Sequence, residues 1–93
     1  MAESYHLKIC SEKTGYEAKP KRSLKLDLMT LKDQIVAVTR MRVRVGVPAL
    51  ILLQGDEGEV INIFPSGRLL LRNFPSKNDV ERMVNLLAPI LYT

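Results

Sequence analysis

Arginine is the residue type whose placement in this chain carries a chemical signal. Arg40, Arg42 and Arg44 fall within residues 40–53, a span with no acid, and Arg68 and Arg72 fall within residues 60–77, again with no acid. A planar guanidinium matches phosphate geometry, so five of them on strand-like segments suggest an anionic partner. The other reactive types are less organised. His6 and Cys10 are the only histidine and cysteine. On a strand they share a face but stand about 13 Å apart, too far for a hydrogen-bonded pair. A lone cysteine permits no intrachain disulfide and no cysteine-based metal site. Asp56, Glu57 and Glu59 crowd one turn-like segment, where solvation explains them. The basic "KPKR" at residues 19–22 reads first as a solvated loop and second as a phosphate contact. No paired carboxylates, metal-ligand cluster or Gly-rich phosphate loop stands out. The expectation is therefore a non-enzyme with no catalytic residues, metal or cofactor.

The elements that would carry the arginines follow from periodicity. Residues 5–10 alternate as a strand, with Tyr5, Leu7 and Ile9 on one side and His6, Lys8 and Cys10 on the other. Residues 11–23 are polar, contain Gly15 and Pro20, and read as a loop. Leu28, Leu31, Ile35 and Val38 follow helical spacing, with Asp27 or Thr30 as candidate N-caps, predicting a helix over 28–38. Residues 40–47 alternate, placing Met41, Val43 and Val45 opposite Arg42 and Arg44. An apolar strand follows Pro48, then the turn "GDEG". Strands over 59–64 and 68–74 flank "PSG", where Gly67 suits a positive φ. Ser76 is a good N-cap, and Val80, Met83, Val84, Leu87 and Leu91 form one helical face. Pro89 is expected to disrupt or kink the last turn.

These elements predict an α+β domain spanning residues 1–93: a curved antiparallel sheet of about five strands with two helices packed on one face. If Val43, Val45, Ile61, Ile63, Leu69 and Leu71 face the helices, the open face carries Lys8, Arg42, Arg44, Asn62, Phe64, Arg68, Leu70 and Arg72. Ile51 and Leu53 are candidates to join it. Solvated sheet faces usually mix both signs of charge, which pair across strands. A face rich in arginine with little acid suggests a counter-charge outside the chain. Apolar groups among the cations suit a shallow groove or an unstacked base.

Residues 48–87 also resemble one repeat of the TATA-box-binding protein family. Pro48, Leu50, Ile63, Phe64, Ser66, Gly67, Arg68, Ser76 and Glu81 fall in register with that family's pattern, as does "KLDL" at residues 25–28. The resemblance implies a helix-grip fold, a curved sheet holding two helices. It implies that the concave face meets a minor groove, with Phe64 at one wedge position and the smaller Val47 at its partner position. That family fuses two repeats and this chain holds one, so the resemblance implies a homodimer. A transcription or repair protein is a further candidate partner, for the sheet face or its edge.

Net charge is +4, which permits a nucleic-acid partner without requiring one. No apolar run approaches a membrane span, and the N-terminus lacks a signal-peptide layout. A soluble cytoplasmic protein without membrane contact is expected. Two functions fit: a nucleic-acid-binding protein acting through the open face, with DNA ahead of RNA, or a protein-interaction module using that face or its edge.

Overall fold

A computed structural model of the chain describes residues 5–9 and 15–92, with Lys8 and Ile9 described by their backbone only. The elements run β1 (Tyr5–Ile9), β2 (Gly15–Pro20), α1 (Leu28–Thr39), β3 (Arg42–Val47), β4 (Leu50–Gln54), β5 (Val60–Ile63), β6 (Leu69–Arg72) and α2 (Lys77–Leu91). All strand pairs are antiparallel, in the order β1-β2-β6-β5-β4-β3. The fold is α+β: an open six-stranded sheet and two helices sharing one core.

The core face follows from register. Ile51, Ile63, Leu69 and Ala18 stand opposite one another across four strands, and so do Leu53, Ile61, Leu71 and Tyr16. All of these are fully buried except Tyr16, which is half-buried. They pack against Leu28 and Ile35 of α1 and Val80, Val84, Leu87 and Leu91 of α2. The period-2 reading of β5 and β6 therefore holds, as does the apolar stripe of α2.

Each helix starts where its cap predicts. Asp27 accepts from the Thr30 amide at 3.3 Å. The Ser76 hydroxyl accepts from the Asp79 amide at 3.2 Å and donates to the Asp79 carboxylate at 2.9 Å. These bonds satisfy amides that have no partner within the helix. Helix α1 ends at Arg40, whose left-handed φ of 57° turns the chain into β3 while its amide still reaches Val36 O.

Four expectations need correction. Residues 15–20 are a strand, not a loop, so the sheet has six strands. Tyr16 and Ala18 alternate toward the core, but the polar residues around them hide the period. Ile51 and Leu53 are core residues with no exposure. Val45 is not a core residue. A bulge between Val43 and Val45 inserts Arg44, so Val45 pairs with Leu52 and Val47 with Leu50, on the open face. One extra residue inverts every side chain beyond it. Val43 keeps the core-face register, opposite Leu53, but at the sheet edge it is 37% exposed. Finally, α2 continues through Pro89 to Leu91. Proline removes one amide here, and the exposed Asn85, whose carbonyl it would have bonded, lies where water can serve.

The end of α2 is tied to the β5–β6 turn. The Tyr92 hydroxyl donates to Gly67 O at 2.6 Å, and the Leu26 amide donates to Pro65 O at 2.8 Å. Gly67 has φ +89°, and a Cβ there would stand 3.1 Å from Pro20 and 3.2 Å from both Leu24 and Tyr92. Only glycine fits both the φ and the space. Burial, and then the neighbouring Tyr5, push the Tyr92 phenol well above the usual tyrosine pKa. Its neutral form is the one the fold favours. That contribution is complete below the unfolded value of about 10 and is lost as pH rises toward the folded value. Alkaline titration of stability should show this loss above about pH 10. Tyr92→Phe should cost about 1 kcal/mol at neutral pH and flatten the alkaline decline. Urea melts at several pH values check both, and a parent whose stability is level through the alkaline range contradicts the assignment.

Candidate nucleic-acid interface

Register orders the open face into three rows. The first runs Lys19, Arg68, Phe64, Leu50 and Val47, from β2 to β3. Phe64 and Arg68 lie one step beyond the Ile63–Leu69 pair and are joined by the Phe64 amide to Arg68 O bond of 3.0 Å. The second row is Glu17, Leu70, Asn62, Leu52 and Val45. The third is Arg72, Val60, Gln54 and Arg42. Apolar side chains thus run through the middle, with cations in the two outer rows. Val45 and Val47 are 37% and 45% exposed, while Leu50, Leu52, Val60, Phe64 and Leu70 are half-buried. Asn62 and Gln54 place amides among them.

Most of the anticipated residues meet here. Arg42, Asn62, Phe64, Arg68, Leu70 and Arg72 share the open face. Arg44 is exposed but is the unpaired bulge residue, so register places it in no row. The Lys8 side chain lies outside the described residues, as does Cys10. Val45, Leu50 and Leu52 join the face unanticipated, and Val47, which the resemblance alone put there, lies opposite Leu50. For Val45 and Val47 the inversion at the bulge left no signal in the alternation itself.

The expectation that the face holds almost no acid is also corrected. Glu17, on the strand first read as a loop, is 6% exposed and accepts from Arg68 Nε. Its other carboxylate oxygen lies 4.0 Å from Lys19 Nζ. The Arg68 guanidinium lies over the Phe64 ring, 5.5 Å from its centroid. At the opposite end Arg42 donates to Asp56 at 3.0 Å, both side chains being largely exposed. Such an exposed pair is worth little and opens readily for a ligand. Arg72 is exposed and makes no ion pair among the described residues. The face therefore retains net positive charge, but two of its arginines already hold acidic partners.

The acidic turn has a local role. Glu59 accepts from the Glu57 amide at 3.0 Å, and Asn73 Nδ2 donates to Gly58 O at 3.2 Å. A pocket of about 210 Å³ beside this turn is walled by Phe74, Pro75, Met83 and Leu86, and no residue of the three rows lines it. Among the described residues, no group of His, Cys, Asp or Glu is placed to hold a metal ion. No helix among them is long and apolar enough to cross a membrane.

No protein-family model, curated protein or solved structure matches this chain.

Proposed function

We propose that the protein binds nucleic acid, with DNA as the expected form, across the open face of its sheet. One observation carries this reading: an apolar strip with Asn62, Gln54 and Phe64 lies between outer rows holding Lys19 and Arg68 on one side and Arg42 and Arg72 on the other. Minor-groove proteins combine these same groups, with Arg, Asn and Gln at base edges and phosphates and apolar side chains against the base steps. The order of β2, α1, β3 to β6 and α2, with both helices on one face, supports the helix-grip resemblance and, with it, a role in transcription or repair.

Fluorescence anisotropy with labelled duplexes and single strands, titrated with salt, tests the proposal. If Arg42, Arg68 and Arg72 each neutralise one phosphate, the logarithmic slope on duplex DNA should be about −2.7. Affinity should then fall roughly 40-fold between about 50 and 200 mM salt. Absence of salt-dependent binding to every oligonucleotide rejects it. The exposure of Val45 and Val47 beside Leu50 and Leu52 favours a second reading, a protein-interaction face, including closure by a second copy. A mass that rises with concentration in light scattering, together with no oligonucleotide binding, supports that reading instead.

A further inference from the structure

A buried carboxylate on a face for a polyanion needs a physical account. The Glu17 side chain is 7% exposed and that of Arg68 is 43% exposed, so an incoming ligand meets the guanidinium first. Arg68 spends Nε on Glu17 and rests one face of its guanidinium on Phe64. A guanidinium carries five N–H donors, and four of them sit on its two terminal amino groups. Those amino groups make no hydrogen bond to any other described residue. Fixing the group at Nε and on one face removes most of its rotational freedom before a ligand arrives. The ordering cost that weakens most long-side-chain contacts is then already met in the folded state. Lys19 contributes a second, half-exposed cation, so the Glu17–Arg68–Lys19 trio keeps a net charge of +1.

We propose that Glu17 is a positioning residue: it holds Arg68 over Phe64 so that the terminal amino groups form a pre-oriented fork for a phosphate. The proposal rests on the nucleic-acid reading for the identity of that phosphate, a backbone phosphodiester. The opposite account, in which Glu17 masks Arg68 and weakens anion binding, predicts tighter rather than weaker binding by Glu17→Ala.

The first measurement needs no variant. In the ¹⁵N spectrum of the parent, the Arg68 Nε–H should exchange slowly with water, and inorganic phosphate should shift it. An Arg68 signal that exchanges as fast as that of Arg72, or that ignores phosphate, overturns the proposal. Glu17→Ala should abolish both the slow exchange and the phosphate shift. On duplex DNA it should lose the equivalent of one phosphate contact, about eightfold at 0.1 M salt, with a slope shallower by about 0.9. Glu17→Gln keeps an acceptor for Nε and should restore binding close to that of the parent. If Glu17→Ala fails to fold, Arg68→Lys decides. It keeps the charge but lacks the planar fork, so it should bind phosphate more weakly, and equal binding overturns the proposal. Tighter binding by Glu17→Ala also overturns it. A parent that binds no oligonucleotide but shows a Glu17-dependent phosphate shift at Arg68 defeats the nucleic-acid reading while leaving the positioning role intact.

Discussion

Truncating Ile61, Ile63 or Leu71 to alanine should remove about 2–5 kcal/mol of stability, measured by urea unfolding. Each side chain has no exposure and sits between the sheet and the helices. Removing its methyl groups loses burial and leaves a cavity that close packing cannot fully collapse around. A chain of 93 residues has a total stability of only about 5–14 kcal/mol. One such change should therefore lower the melting temperature by roughly 8 °C or more, and two should leave the protein largely unfolded. Leu52→Ala and Leu70→Ala supply the contrast. Leu52 on β4 and Leu70 on β6 belong to the same sheet but point to the other face, where they are half-buried. They should cost about 1 kcal/mol or less, since much of their surface is never taken from water. If Leu52→Ala costs as much as Ile61→Ala, something covers the open face in solution, and the interface as described is wrong.

The contrast between Ile61 and Leu52 shows what could be read from the chain beforehand. The β5–β6 hairpin announces itself because a period of two, a glycine with positive φ and short arms all agree. Helix α2 is equally legible, since Ser76 and the Val80–Leu91 stripe give the same answer. Strand β2 was hidden. Only Tyr16 and Ala18 mark its core side, and its other side carries charge, which normally signals a loop. With β2 went Glu17, and with Glu17 went the ion pair that orients Arg68. Nothing local predicts that a glutamate in a polar stretch will be buried; Arg68, which bonds it, lies just ahead of β6, fifty-one residues away. Strand β3 failed for a different reason. The alternation of "RMRVRV" is nearly faultless, yet the bulge at Arg44 breaks it. A bulge answers to the strand beside it, so the alternation of one strand cannot reveal it. The composition of the open face was thus legible at Arg42, Phe64, Arg68 and Arg72, and illegible wherever a tertiary partner sets the side.

Removing Arg42 and Arg72 together should weaken binding to duplex DNA strongly without disturbing the fold. Neither is part of a buried pair. Arg42 meets only the exposed Asp56, and Arg72 has no ion-pair partner among the described residues. The double alanine variant should therefore unfold at nearly the parent's urea concentration, as surface substitutions usually do. Arg68 is a poorer choice for this experiment. Its loss would leave the buried Glu17 carboxylate with less compensation, and a stability loss would confuse the result. Each phosphate contact contributes about 0.9 decade of affinity at 0.1 M salt through counterion release, so losing two should weaken binding roughly 60-fold. The salt slope should become shallower by about 1.8 at the same time, for every sequence alike, because phosphate contacts carry no base information. Val47→Ala should behave differently. It removes apolar surface and no charge, so affinity should fall while the slope stays where it was. A double arginine variant that keeps the parent's slope would place the phosphate contacts elsewhere. An equal loss of slope in Val47→Ala would mean that the apolar strip acts only by supporting the arginines.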